Sequence, residues 1–150
     1  MITLKEKVFE RFANALKDKI GMLQQTLDDL KETASNETKS TAGDKHETAL
    51  AMVQIEQENT ARQLKEALAQ KLVLERINIS VKASRVSNGS LVKTNKGYFF
   101  FSVALGKIKV DDITVIALSA QSPLGARLSG LKVNESASLN GSNYVIEHIE

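Results

Sequence analysis

The feature that most constrains this chain is a change in the period of its apolar residues near residue 76. Before it, Phe9, Phe12, Leu16, Ile20, Leu23, Leu27 and Leu30 follow one another at steps of 3, 4, 4, 3, 4 and 3. That spacing lines one stripe of an α-helix and is close to a heptad. No proline interrupts it, and Gly21 is the one helix-weakening residue inside it. A second stripe runs through Leu50, Val53, Gln57, Thr60 or Ala61, Leu64, Leu68 and Leu72. Its seam residues are smaller and more polar, so it is expected to pack less tightly. Between the stripes lies a polar run, SNETKSTAG, at residues 35–43. Two helical stripes joined by such a run predict an antiparallel coiled-coil hairpin over residues 1–76, with its tip near residues 36–47. An arm of about 30 residues would be roughly 45 Å long at about 1.5 Å per residue. A compact domain of this size needs nothing so long, so the hairpin is expected to project.

After Arg76 the period becomes two, beginning with Ile77, Ile79, Val81 and Ala83. SLVKT, NKG and YFFFSVAL (90–105) read as strand, turn and strand, and ITVIAL (113–118) as a further strand. SPLGARLSG (122–130) reads as a short helix. Ser122 suits the N-cap, Pro123 the first helical position and Gly130 the stop. SASL and NYVIEHI flank Asn140-Gly141, the signature of a type I′ hairpin. The order is three strands, a helix and two strands. Residues 77–150 therefore predict a small α+β domain, an antiparallel sheet with one helix on a face.

Composition removes several functions. There is no cysteine, which excludes disulfides, thiolate metal sites and cysteine nucleophiles and suits a reducing compartment. No apolar run approaches the roughly 18–20 residues that span a bilayer, and the charged N-terminus makes a poor signal-peptide core. A cytoplasmic protein with no membrane partner is expected. The net charge of +2 is too small for independent duplex DNA binding. Residues 1–76 carry 12 Lys/Arg against 13 Asp/Glu, so the hairpin is no polybasic arm. No Ser/His/Asp arrangement, phosphate loop or histidine-rich metal set is present, so an enzyme acting alone is not expected.

The chemistry-bearing cluster is Asp44, His46 and Glu47, at the expected tip. Asp44-x-x-Glu47 has the spacing of a capping box. Thr41-x-x-Asp44 is an equally good box one turn earlier. If Thr41 caps, Asp44 and Glu47 are i,i+3 neighbours on one helical face. Two such carboxylates favour a hard cation such as Mg²⁺, and they leave most of its coordination to a second molecule. His46 could add a ligand or move a proton, although a lone loop histidine is more often simply solvated.

The sequence DKHETA (44–49) is similar to the Asp-x-Ser-Glu-Asn-Ala tip of the bacterial Gre transcript-cleavage factors. SPLGARLSG followed by YVIEHI (144–149) is similar to the last helix and strands of that family. The resemblance implies a coiled-coil hairpin followed by an FKBP-like domain. It implies bacterial RNA polymerase as partner, with the globular domain at the rim of the secondary channel and the hairpin inside it. Asp44 and Glu47 would then be the catalytic tip acids, helping to hold a Mg²⁺ shared with the polymerase active site. The outcome would be cleavage of the displaced RNA 3′ end in a backtracked complex, by two-metal chemistry. Ser122, Pro123 and Leu124 would lie near the docking surface, and the chain would be a monomer. The tip departs from the family pattern in two ways. His46 replaces the serine, and Thr48-Ala49-Leu50-Ala51 lacks the second acid and the aromatic. These departures favour an alternative, a channel regulator that binds polymerase without stimulating cleavage. Two readings of other classes are an FKBP-like prolyl isomerase or chaperone, which needs an aromatic-lined pocket, and a coiled-coil adaptor, which would dimerise.

Overall fold

Helix α1 spans Leu4–Thr38 and α2 spans Gly43–Glu75. Strands β1 (Leu91–Thr94), β2 (Gly97–Phe101), β3 (Gly106–Val110) and β4 (Ile113–Leu118) follow. Helix α3 (Pro123–Leu128) and strands β5 (Ser136–Leu139) and β6 (Ser142–Ile149) complete the order. The computed structural model describes residues 2–38 and 43–150, with side chains except at 37, 38 and 43–46. The molecule is a long N-terminal helical hairpin followed by a small mixed six-stranded sheet domain with one helix. None of its described helices is long and apolar enough to cross a membrane.

Two compact units divide the chain, and the division runs through both long helices. One unit is Met1–Ala15 with Leu72–Glu150; the other is Leu16–Lys71.

In the Leu16–Lys71 unit, Leu16 and Ile20 of α1 are buried, whereas Leu23, Leu27 and Leu30 are only half-buried. On α2 the seam passes through Val53, Gln57, Thr60, Leu64 and Ala67. Leu68 was expected on this seam but is 40% exposed, while Ala67 is fully buried. The same displacement continues into the other unit, where Leu74 is buried and Leu72 exposed. The steps 53, 57, 60, 64, 67 and 74 keep a strict heptad register. Following the larger leucines instead of the register shifts the reading off the seam by one position.

In the other unit, α1 starts with a capping box. Glu6 N donates to Thr3 Oγ1 at 3.1 Å, and Thr3 N donates to Glu6 Oε2 at 3.4 Å. The strand order is β3-β4-β2-β1-β6-β5. The pairs are antiparallel except β2 with β4, which is parallel. This corrects the wholly antiparallel sheet expected from sequence. The reason is β3, which the sequence reading ran into a long β2 and a loop. It turns the chain back between β2 and β4, so those two strands run the same way. The alternation at residues 77–83 forms no strand. Further on, Val86 N donates to Leu131 O, Gly130 N to Val86 O and Gly89 N to Phe101 O. These bonds hold residues 86–89 in place without a sheet ladder.

The aromatic run Tyr98–Phe101 shows why the sheet is covered on two sides. Neighbouring residues of a strand point to opposite faces. Phe99 and Phe101 join a core with Val86, Val92, Leu118, Leu128, Ile146 and Ile149, under α3. Phe100 points the other way, onto the start of α1. Its ring is stacked on Phe12 at 6.0 Å and meets Phe9 edge-on at 6.3 Å. Such ring pairs add about 0.5–1.5 kcal/mol beyond their area burial. The first turns of α1 thus serve as a layer of the globular unit.

Candidate functional site

Helix α2 begins at Gly43, which makes Asp44 its second residue and Glu47 its fifth. Asp44 is therefore inside the helix and not its cap. Thr41 and the side chains of Asp44, Lys45 and His46 lie outside the described residues. The backbone puts positions 44 and 47 three apart in one regular helix. Glu47 is exposed and makes no hydrogen bond or ion pair with another described residue. Acids in the first turns of a helix are favoured by its dipole. This carboxylate is free to bind something else. Among the described residues no three His, Cys, Asp or Glu side chains are gathered to hold a metal ion. Carboxylate oxygens suit Mg²⁺, which takes one or two from a protein and keeps its other positions for water or a partner. Residues 44 and 47 are both acidic in sequence and would supply at most two such carboxylates.

Ser122, Pro123 and Leu124 lie together at the start of α3, and each has a clear structural duty. Ser122 Oγ accepts from Gly125 N at 3.0 Å and donates to Ser119 O at 2.7 Å. Pro123 occupies the first turn, where no amide hydrogen is needed. Leu124 packs against the core, and Pro123 is exposed. Gly125 is required by space: a Cβ there would lie 1.9 Å from Ser119 O. The stop is also as expected. Gly130 has φ +80°, and Ser129 N donates to Gly125 O.

Sequence reasoning passed over Lys5, which is 5% exposed. Its Nζ donates to Val81 O at 3.0 Å. Burial pushes its pKa below the ordinary lysine value, and the Glu150 carboxylate partly opposes that. The available signal was position: Lys5 lies one step ahead of Val8 on the buried stripe of α1. Two more ties were not foreseen. Lys7 Nζ meets Asp111 Oδ2 at 2.7 Å. Asn95 bonds through its side chain to Val145 N and Asn143 O, taking over beside the bulge between β1 and β6.

Most of the aromatic run is taken up by packing. Phe99, Phe100 and Phe101 are buried, and Phe99 packs edge-on against Tyr144 at 6.2 Å. Four surface cavities of about 240, 310, 340 and 400 Å³ have no Phe, Tyr or Trp in their walls. These cavities do not supply the aromatic binding cleft a prolyl isomerase reading needs.

No family model matches the chain, and no curated protein matches it. Among solved structures it is similar to that of the transcription factor Gfh1. The two are 14% identical, the match covers 91% of this chain and 92% of that one, and the TM-score is 0.37.

Proposed function

We propose that this chain is a transcription factor of Gre type that acts on bacterial RNA polymerase. The observation that carries the reading is one of order. An acid pair three residues apart opens the second helix of a long hairpin, and a sheet domain with a Ser-Pro-Leu-Gly helix start follows. In this reading the globular unit docks on the polymerase and the hairpin enters the secondary channel. The part of α1 that belongs to the hairpin unit, residues 16–38, is about 35 Å long at about 1.5 Å per residue, a reach suited to a recessed centre. Asp44 and Glu47 would share a Mg²⁺ with the polymerase active site, whose own groups complete the coordination. That ion would supply activation of water and charge neutralisation at the scissile phosphate. The chain's residues position it and add no nucleophile of their own. Stimulated cleavage of backtracked RNA follows. Ser122 and Leu124 are occupied by α3 and the core, so docking there would use the exposed Pro123 and the backbone around it.

A second reading has its own observation. Thr48, Ala49 and Leu50 follow Glu47, with no further acid in that turn. A tip with so few donors would occupy the channel without stimulating cleavage. The length of the RNA separates the two readings. Both require the chain to bind polymerase and to displace an authentic cleavage factor from stalled complexes. Only the first requires shortened RNA when the chain is added alone. Absence of polymerase binding rules out both.

A further inference from the structure

The globular unit has a cleft of about 340 Å³ lined by Lys82, Ala83, Ser84, Lys132, Val133, His148 and Ile149. No carboxylate lines it, in a chain with 18 acidic residues. Among the described residues, the side chains of Lys82, Lys132 and His148 have no ion-pair or hydrogen-bond partner. Its apolar wall is aliphatic, and Val133 is 43% exposed there. The two sides are held in register by backbone bonds close by, Val86 N to Leu131 O and Gly130 N to Val86 O. Arg85 Nη1 adds a bond to Gly130 O at 2.9 Å. These bonds fix the backbone next to Lys132 and on the facing segment at residues 85–86.

We propose that this cleft is a docking site for an acidic, aliphatic-rich protein segment. Unpaired cations beside exposed aliphatic surface complement alternating carboxylate and aliphatic side chains. Nucleic acid fits less well. Single strands are held chiefly by stacking on Phe, Tyr or Trp and by arginine, and the cleft walls contain none of these. A net charge of +2 gives little general attraction to a duplex. The neighbouring cavity shares Lys82 and His148 and adds Lys5, Glu6 and Glu150. Glu135 Oε1 accepts from Lys132 N at 2.7 Å, so an acid also stands beside the Lys132 end of the cleft. The segment's carboxylates lie over the ammonium groups of Lys82 and Lys132.

The test uses the full chain and a fluorescein-labelled peptide of alternating glutamate and leucine. Controls are the same peptide with glutamine for glutamate and a uridine oligoribonucleotide. Anisotropy and amide chemical-shift mapping are the readouts. The expected result is saturable binding of the acidic peptide, with shifts centred on Ser84, Val133 and His148. The double variant Lys82→Gln/Lys132→Gln should lose at least about tenfold in affinity with an unchanged thermal midpoint. The glutamine peptide should not bind, and Asp44→Ala should bind as wild type, which separates this site from the hairpin tip. Binding of the oligoribonucleotide at these residues in place of the peptide overturns the proposal. So does peptide binding that the double variant leaves unchanged, or no saturable binding.

Discussion

The two ends of the α1 stripe share one sequence pattern and reach different burial. Near the start of the helix, Val8 and Phe12 are completely buried, and Phe12 stacks on Phe100 of the sheet. Toward its end, Leu23, Leu27 and Leu30 repeat the same spacing and stay half-buried. The α2 seam in the same unit contains Gln57 and Thr60, where a tight coiled coil has larger apolar residues. A heptad therefore announces which face is covered and not how well. How well depends on what covers it: a sheet with an aromatic ring, or a helix with small and polar side chains.

The largest expected effect tests that contrast. Phe100→Ala should cost about 3–5 kcal/mol in denaturant unfolding, because it empties a site walled by two other rings. Leu27→Ala should cost only about 1 kcal/mol, since less of its surface leaves water on folding. Equal losses would erase the distinction between the two ends. Next comes Gly125→Ala, which drives a Cβ into the Ser119 carbonyl and should cost about 2–3 kcal/mol. Ser122→Ala, which removes the N-cap of the same helix, should cost about 1 kcal/mol. A thermal-melt series on these two variants would show whether the Ser-Pro-Leu-Gly start is held by shape more than by its cap.

What was readable in the sequence was local. The helix start at Ser122-Pro123, its stop at Gly130 and the Asn140-Gly141 turn depend on residues within a few positions of each other. The structure shows all three, with φ +52° at Asn140 and +83° at Gly141. The β3–β4 turn escaped because its central residues are Asp111 and Asp112, both at positive φ. Aspartate tolerates that region, but two in succession give a weaker turn signal than Asn-Gly. The parallel β2–β4 pair escaped because nothing local encodes the direction of a strand's neighbour. The seam register of α2 was hidden by size, since Leu68 and Leu72 outweigh Ala67 in any hydrophobic count. At the tip, the acid spacing was legible in the sequence, and the side chain of Asp44 lies outside the described residues.

A smaller effect concerns the buried lysine at the start of α1. The folded-state pKa of Lys5 is lowered, so the folded protein holds its proton less readily than the unfolded chain. Below the folded pKa the buried ammonium is a penalty. The penalty is relieved as pH rises through the folded value toward the ordinary lysine value. Lys5→Met has no such titration. The stability of wild type relative to Lys5→Met should therefore increase between neutral and alkaline pH, measured by urea unfolding across that range. A constant difference would place the Lys5 ammonium in a better-solvated setting than its burial implies.

The account's central claim is that the acids opening α2 serve a partner's chemistry and not the fold. The most direct measurement is RNA length in stalled bacterial polymerase complexes after adding wild type, Asp44→Ala or Glu47→Ala. Thermal unfolding of the same samples is followed in parallel. Wild type should shorten the RNA. Each variant should leave it full length while changing stability by no more than about 0.5 kcal/mol, the usual range for a substitution away from the core. RNA shortened equally by all three proteins, or by none, would contradict the claim.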